Sequence, residues 1–196
     1  MTAATGGIRS VSVYCASSRA VGPEFLHTAT ELGRAIGRRG IHLVYGGASI
    51  GLMGAVARGV HQEKGRVVGV LPRFFMVKGI RYDEADELIV TEDMRERKAE
   101  MDRRSDGFIV LPGGIGTLEE AMEIISMKQL RLTAKPLVFI NTLNYYDGLF
   151  ALFEEMVELR FAKAETLDLY AVRPDSETAL DYLLSYQPPE IHSKWL

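Results

Sequence analysis

The sequence has 196 residues, a length that suits a single domain with a sizeable core. Apolar residues make up 47% and charged residues 25%, and the net charge of −3 excludes bulk electrostatic attraction to nucleic acid, so phosphate binding would need a local site. No apolar run approaches the roughly 20 residues that span a bilayer, no signal peptide is apparent, and the one cysteine, Cys15, has no partner for an internal disulfide. We therefore expect a cytoplasmic protein that binds neither nucleic acid nor membrane.

Short apolar runs alternate with segments of helical period along the chain. We predict strands at Ile8–Cys15, Ile41–Tyr45, Arg66–Leu71, Glu87–Val90, Gly107–Leu111 and Leu137–Ile140, with a weaker seventh pattern at Leu169–Val172. Helical patterns run from Phe25 to near Gly40, from Leu52 to near Gly65, and over Met94–Ser105, Thr117–Leu130, Leu149–Phe161 and Asp175–Tyr186. The alternation predicts an α/β fold: a Rossmann-like, doubly wound parallel sheet of about six to seven strands with helices on both faces. We expect residues 1–196 to form one domain, with irregular tails at 1–7 and 188–196.

Two glycine-rich loops each follow a predicted strand and open a helix. The first runs from Tyr45 to Gly54, and the second is Pro112–Gly116, after which Thr117 and Glu120 have the spacing of a capping box. Such loops can offer unpaired backbone N–H groups to an anion, although a glycine-rich turn also serves tight packing, and Glu120 could act only as a cap. Neither loop has Walker or G-x-G-x-x-G spacing, which disfavours ATP and NAD. Two such loops at one edge of the sheet favour a shared ligand crevice.

A charged helical segment precedes the second loop. Met94 and Met101 mark one face of this helix, and Arg97 and Lys98 lie between them on that face. The neighbouring Arg95, Glu96, Asp102 and Arg103 are expected on a solvated face. Two cations on an apolar face need an anionic partner, which could be a carboxylate or a phosphate.

These segments together resemble a known family. Pro112–Glu120 fits the pattern PGGxGTxxE, and with Arg97–Met101 and Val44–Gly54 it resembles the LOG family of cytokinin riboside 5′-monophosphate phosphoribohydrolases. Members have often been labelled lysine decarboxylases, but nothing in this sequence suggests a pyridoxal phosphate site. The resemblance extends from about Ile8 to about Phe161. It implies a Rossmann-like homodimer that hydrolyses AMP, or AMP prenylated at N6, to the free base and ribose 5-phosphate, without a metal or cofactor.

The resemblance also implies roles for individual residues. Two match catalytic positions, namely Arg97 and Glu120. Others match nucleotide-contacting positions or lie in loops expected to line the same crevice: Lys98, Gly113, Gly114, Gly116, Thr117 and Glu119 in the first group, and Tyr14, Ser17, Gly46, Gly47 and Asp93 in the second. We expect Glu120 to stabilise an oxocarbenium-like state and Arg97 to lower its pKa. The proton donor to the leaving base stays open between Asp93 and water.

The sequence departs from the family pattern in two places. Cys15–Ser18 reads Cys-Ala-Ser-Ser where the family often has Cys-Gly-Ser-Ser, and Met76–Ile80, with Glu84 farther on, replaces a Pro-Arg-Glu segment of plant-type members. The second departure leaves base recognition open. A non-catalytic carrier of a nucleotide or a phosphorylated, pterin-type cofactor is the alternative, although such carriers do not need the Arg97–Glu120 pair. The helix over Glu119–Leu130 is apolar on more than one face, which fits either a dimer contact or a fully buried core helix.

Overall fold

The computed structural model describes residues 7–76 and 79–189. Its centre is a seven-stranded parallel sheet in the order β4-β3-β2-β1-β5-β6-β7. The strands are β1 (Ser10–Tyr14), β2 (His42–Tyr45), β3 (Val67–Pro72), β4 (Glu87–Thr91), β5 (Gly107–Val110), β6 (Leu137–Ile140) and β7 (Ala171–Arg173). All seven predicted strands are confirmed, and no strand end differs from its predicted position by more than two residues.

Helices cover both faces of this sheet, so the doubly wound arrangement is confirmed. The helices are α1 (Pro23–Arg38), α2 (Gly51–Gln62), α3 (Met94–Arg103), α4 (Ile115–Gln129), α5 (Asp147–Glu158) and α6 (Ser176–Ser185). One core layer joins Val11 and Leu43 to α1, α2 and α6. The other joins Val44 and Phe108 to α3, α4 and α5. Strands buried on both faces are continuously apolar, which explains why their sequences lack a period of two.

The order of the strands reverses between β1 and β5. The chain proceeds outward from β1 through β2 and β3 to β4, and then returns to place β5 on the other side of β1, with Val13 level with Tyr45 on one side and Ile109 on the other. The loops that leave neighbouring strands diverge at such a reversal and open a crevice at the carboxyl ends. The loops after β1, β2 and β5 meet at this place.

Some expectations concern the ends of the chain and the membrane. Gly7, Pro188 and Pro189 belong to no regular element, whereas the rest of the predicted tails, residues 1–6 and 190–196, lie outside the described residues. Within residues 7–76 and 79–189, no helix combines the length and the apolar character needed to cross a bilayer.

Candidate active site

A pocket of about 430 Å³ lies at the reversal of strand order. Its polar side carries Arg97, Glu120, Thr117, Ser17 and Ser18, together with the backbone at Gly46, Gly114 and Gly116. Its remaining wall is mainly apolar and comes from separate segments of the chain: Cys15, Ala16, Ala48, Ile50, Met53, Leu71, Phe75, Ile80 and Met94. The pocket therefore combines a charged end with an apolar end.

Arg97 and Glu120 form a buried ion pair at the charged end. Each is 5% exposed, and Arg97 Nη1 donates to Glu120 Oε1 at 2.5 Å. Arg97 Nε donates to the carbonyl oxygen of Val70 at 3.1 Å. A methyl group added at Gly46 would lie 2.3 Å from Arg97 Nη2, so the guanidinium occupies the space that this glycine leaves free. Contacts with three elements thus fix the position of Arg97, and the expected anionic partner is the carboxylate of Glu120.

Burial controls the pKa of Glu120. Removal of the carboxyl group from water raises its pKa above the ordinary glutamate range, and the nearby Arg97 guanidinium opposes that rise without cancelling it. Arg97 therefore lowers this pKa, as expected, but desolvation of the carboxylate outweighs the attraction of the cation, so the net direction is upward. The raised pKa makes the ionised carboxylate a stronger base.

The second glycine-rich loop ends in an uncapped helix N-terminus. Gly114 is the N-cap of α4, with φ −87° and ψ −160°, and it supplies no side-chain cap. The predicted capping box is wrong, because α4 begins at Ile115 and Thr117 lies inside its first turn; the Thr117 side chain packs against Gly113, where a methyl group would be 2.1 Å from Oγ1. Nothing in the described part of the chain accepts a hydrogen bond from the backbone N–H of Ile115, Gly116 or Thr117. These donors, at the positive end of the helix dipole, are available to an anion.

The first glycine-rich loop differs from the second. The backbone N–H groups of Leu52 and Met53, in the first turn of α2, both donate to the carbonyl oxygen of Ala16, at 2.9 and 3.3 Å. The expectation of unpaired donors at this helix end is therefore wrong for these two residues. The loop instead fixes the turn after β1 and leaves room for Arg97 at Gly46. The alanine at position 16 does not alter that contact, which uses its carbonyl group.

The predicted site residues divide into two groups. The pocket lining includes Ser17, Gly46, Arg97, Gly114, Gly116, Thr117 and Glu120. The lining does not include Tyr14, Gly47, Asp93, Lys98, Gly113 or Glu119. Each of these six has a structural contact instead, which for Gly113 is the Thr117 side chain.

Lys98 and Asp93 are held by their neighbours at α3. Lys98 Nζ contacts Glu119 and lies 3.0 Å from Glu123 Oε2, so its anionic partners are carboxylates. Asp93 caps α3, since its Oδ1 accepts from the N–H groups of Arg95 and Glu96, both at 2.8 Å. Arg95, Glu96 and Arg103 are exposed and Asp102 is half-buried, which largely confirms the solvated face.

Tyr14 and Gly47 pack against the interior next to the segments that form the pocket. Tyr14 is 2% exposed and stacks on Phe108 with ring centroids 5.9 Å apart. Gly47 has a left-handed φ of 75° and packs on Leu71, and its carbonyl oxygen accepts from Tyr82 N at 2.9 Å. Both residues therefore support the segments that carry the loops of the pocket.

The apolar wall could not be recognised from the sequence. Phe75, Ile80 and Met94 belong to no motif, and they come together only because three separate segments end at the same crevice. Ile80 is held there by a bond from Ser49 N to its carbonyl oxygen at 2.6 Å. In the segment that departs from the family pattern, Val77 and Lys78 lie outside the described residues. Glu84 accepts from the Tyr82 hydroxyl at 3.2 Å and is not part of the lining.

The described lining of the pocket offers no attachment point for pyridoxal phosphate. A Schiff base requires a lysine amine in the site. No described residue in the lining is a lysine: Lys98 binds carboxylates outside the pocket, and Lys128 is buried against Lys135 and Tyr186. Over the described ranges there is also no group of three His, Cys, Asp or Glu side chains that could hold a metal ion.

Solved structures share the fold. A molybdenum cofactor binding protein from Rippkaea orientalis aligns with a TM-score of 0.68 at 22% identity, over 88% of this chain and 93% of that protein. The Moco carrier protein of Chlamydomonas reinhardtii aligns with a TM-score of 0.68 at 24% identity, over 90% of this chain and 97% of that protein. At this identity the likeness shows the fold alone.

Sequence relatives are much closer. Cytokinin riboside 5′-monophosphate phosphoribohydrolase LOG5 of Arabidopsis thaliana is 40% identical over 92% of this chain and 79% of its own length. The probable cytokinin riboside 5′-monophosphate phosphoribohydrolase LOGL5 of Oryza sativa subsp. japonica is 41% identical over 92% of this chain and 74% of its own. A family model described as "possible lysine decarboxylase" matches residues 53–183. The chain therefore belongs to the family that this model describes, and within it to the LOG-type cytokinin riboside 5′-monophosphate phosphoribohydrolases.

Proposed function

We propose that this protein hydrolyses the N-glycosidic bond of a nucleoside 5′-monophosphate and releases the free base and ribose 5-phosphate. The observation that carries the proposal is the buried Arg97–Glu120 pair, which faces the same pocket as the uncapped N-terminus of α4. The relatives' names specify this reaction on cytokinin riboside 5′-monophosphates. The likeness to the Moco carriers is limited to the fold and supports no function.

The 5′-phosphate is assigned to the N-terminus of α4. The free N–H groups of the first turn and the helix dipole favour a dianion there, and Gly114 leaves open space in which a phosphate can approach the backbone. Of the glycines in this loop, Gly114 and Gly116 line the pocket, while Gly113 makes room for Thr117. We assign phosphate contacts to Gly114, Gly116 and Thr117.

Glu120 is assigned to the anomeric carbon. The C1′–N bond breaks with its electron pair leaving on the base, and the positive charge that develops on the sugar is stabilised by the carboxylate. Water supplies a hydroxyl group to C1′ and, in sum, one proton to the base. The raised pKa of Glu120 favours activation of that water. We assign protonation of the base to solvent water rather than to Asp93, whose Oδ1 already accepts two backbone hydrogen bonds outside the pocket lining.

The base is assigned to the apolar end of the pocket. Phe75, Ile80 and Met94 offer this end no charged side chain. Such a wall suits a purine and an apolar substituent at N6, so AMP and N6-prenylated AMP are the substrates proposed.

The test is release of base from AMP and isopentenyl-AMP by the purified protein, followed by liquid chromatography. The Glu120→Gln variant should lose about 10²- to 10⁴-fold in kcat, because it keeps a hydrogen-bond acceptor for Arg97 but has no negative charge. Glu123→Gln is the matched control, since Glu123 is a nearby exposed carboxylate that contacts Lys98 outside the pocket, and it should keep wild-type activity. Absence of base release from either nucleotide, or equal activity in Glu120→Gln, would overturn the proposal. AMP binding without base release would favour a carrier.

We further propose a homodimer. Ile115 is 82% exposed, and with the half-buried Leu118 and Met122 it forms an apolar stripe along α4, so this helix is not fully buried in the core. Exposed Leu152 on α5, and Leu159 and Phe161 after its end, add to the apolar surface. We take this exposed apolar surface as the contact with a second copy of the chain. Light scattering at micromolar concentration should give twice the chain mass, and Met122→Glu should shift the protein toward the monomer; a monomeric wild type would exclude the dimer.

A further inference from the structure

The loop between β6 and α5 contacts the carbonyl groups of the second glycine-rich loop. The Tyr145 hydroxyl donates to the carbonyl oxygen of Gly113 at 2.8 Å, and the Tyr146 hydroxyl donates to that of Leu111 at 2.8 Å. No sequence motif pointed to either tyrosine. Each hydroxyl reaches across more than thirty residues of sequence to the turn that precedes α4.

The bond from Tyr145 determines where one backbone donor points. In a trans peptide, the carbonyl oxygen and the next residue's N–H point in opposite directions, and no described peptide is cis. Holding the Gly113 oxygen toward Tyr145 therefore turns the Gly114 N–H away from it. Gly113 is buried and lies outside the lining, whereas Gly114 is exposed and lines the pocket.

The other carbonyl groups of this turn are also engaged. Pro112 O accepts from Ala16 N at 3.2 Å, and Gly114 O accepts from Leu118 N at 3.1 Å. Together with the bond from Tyr145 to Gly113 O, these contacts engage the carbonyl oxygens of residues 112, 113 and 114. The N–H groups at the start of α4 are then the polar groups of this turn that remain available to a ligand.

The loop that carries Tyr145 is strained. Leu143 and Asn144 both have left-handed φ values, 53° and 60°, which L-residues rarely adopt. Asn141 braces the segment, because its Oδ1 accepts from Tyr146 N at 2.8 Å and its Nδ2 donates to Asp147 Oδ1 at 2.7 Å. Leu143 is 69% exposed, so burial of its side chain does not account for the conformation. Strain of this kind persists where the surrounding structure holds a functional geometry.

We propose that Tyr145 is a positioning residue that orients the Gly113–Gly114 peptide, so that the Gly114 N–H donates to the phosphate of the substrate. The inference rests on the proposed function, since it takes the phosphate site at α4 as given. It assigns to Tyr145 a selective effect on ligands that carry a phosphate group.

The experiment compares two ligands by calorimetric titration of the full chain. Tyr145→Phe should weaken binding of ribose 5-phosphate about tenfold, because a donor to a charged group is no longer held in place, and should leave binding of adenine unchanged. The KM for AMP should rise by a similar factor while kcat changes little. Tyr145 is 50% exposed and phenylalanine keeps its ring contact with Phe25, so the melting temperature should change little.

Tyr146→Phe is the matched control. It removes a hydroxyl that donates to the Leu111 carbonyl oxygen and also has a hydrogen bond with the backbone of Gly113, while the bond from Tyr145 to the Gly113 oxygen stays in place. Tyr146 is 2% exposed, so its loss leaves a buried carbonyl group without this partner and should lower the melting temperature more than Tyr145→Phe does. Its affinity for ribose 5-phosphate should nevertheless stay within about twofold of wild type.

The outcomes separate the two proposals. If wild type releases base and Tyr145→Phe binds ribose 5-phosphate normally, the role of Tyr145 is excluded and the enzymatic function stands. Equal weakening of ribose 5-phosphate and adenine, or an equal effect of Tyr146→Phe, also excludes it. If wild type binds ribose 5-phosphate, releases no base and loses affinity in Tyr145→Phe, the enzymatic function fails and the role of Tyr145 stands. If wild type binds neither ribose 5-phosphate nor AMP, both fail.

Discussion

Arg97 and Glu120 lie on different helices, and each is buried with the other as its charged partner. Removing one side chain of such a pair leaves the other charge buried and alone, which typically costs about 3–5 kcal/mol of stability. Glu120→Gln separates chemistry from folding better than Glu120→Ala, because the amide oxygen still accepts from the guanidinium. Any change that displaces Arg97 should likewise lower the stability, because it takes the charged partner away from Glu120.

Gly46 offers a test of the position of Arg97. In Gly46→Ala the new methyl group would lie 2.3 Å from Arg97 Nη2 and 3.1 Å from the Met53 sulfur. Both are ends of flexible side chains, so we expect the guanidinium to move; because it is buried and paired with Glu120, the move should also lower the stability, by up to about 3–5 kcal/mol. A displacement of this size at a catalytic group should lower kcat by about 10²-fold. The control is Gly148→Ala, where a methyl group meets nothing within 4 Å. Wild-type kcat in Gly46→Ala would show that the position of Arg97 does not depend on this glycine.

Lys128 is a buried cation that the proposed reaction does not use. It is 1% exposed, its Nζ donates to Lys135 O and Tyr186 Oη at 3.0 Å each, and burial lowers its pKa to about 8. A lysine whose folded pKa lies below its unfolded value of 10.5 contributes stability that is complete above the unfolded pKa and is lost as the pH falls through the folded pKa.

This gives Lys128 a specific pH signature. Between about pH 8 and 9.5 the unfolded chain binds more protons at this residue than the folded chain, so the free energy of unfolding of wild type should rise relative to Lys128→Met by about 2 kcal/mol. Urea denaturation across this range measures the difference. Lys64→Met changes an exposed lysine, so its free energy of unfolding should have the same pH dependence as that of wild type. If the difference in the free energy of unfolding between Lys128→Met and wild type stays constant over this pH range, the lowered pKa of Lys128 is excluded.

At the scale of elements, α2 and α4 show how one sequence pattern leads to two different helix ends. Both helices follow a strand and a glycine-rich loop at the same edge of the sheet. The first turn of α2 meets the carbonyl group of Ala16, whereas that of α4 opens into the pocket with Gly114 as a cap that lacks a side chain. The difference lies in what packs against each helix end.

A capping side chain at Gly114 should therefore raise the stability of the fold and weaken binding of the phosphate. In Gly114→Asp the carboxylate would accept from the free N–H groups of α4 and raise the stability by about 0.5 kcal/mol. The same carboxylate would occupy the phosphate site and repel the phosphate, so we expect the KM for AMP to rise at least about tenfold. Gly114→Ala has space for its methyl group but supplies no cap, so it should raise neither the stability nor the KM for AMP. Calorimetry and steady-state kinetics measure the two effects; an unchanged KM in Gly114→Asp would place the phosphate elsewhere.

At the scale of the whole molecule, the site exists because strands distant in sequence are neighbours in the sheet. β1 lies between β2 and β5, and the pocket draws its lining from the segments after β1, β2, β3 and β5 and from α3 and α4. A ligand that joins these segments binds only the folded chain, and its binding free energy adds to the stability of the fold.

Ribose 5-phosphate should therefore raise the melting temperature. At a concentration of 100 times its Kd, the stabilisation is about 2.7 kcal/mol, which for a domain of this size corresponds to roughly 5–10 °C. Ribose without the phosphate should have little effect, because the open donors of α4 select the anion. A thermal shift assay measures both. Equal shifts with the two sugars would mean that the helix N-terminus does not hold the phosphate.

The sequence by itself determined the elements and the doubly wound fold, and its family resemblance identified Arg97 and Glu120 as site residues. Continuous apolar runs and helical periods are local properties, so the strands from β1 to β7 could be predicted, and the motif residues Arg97 and Glu120 could be named before any contact was known. Tertiary structure alone decided which helix end stays open, whether burial or Arg97 controls the pKa of Glu120, and that Phe75, Ile80 and Tyr145 join the site. The physical reason is that desolvation, helix capping from a distant carbonyl group and contacts across the crevice depend on neighbours far away in sequence, which no local pattern records.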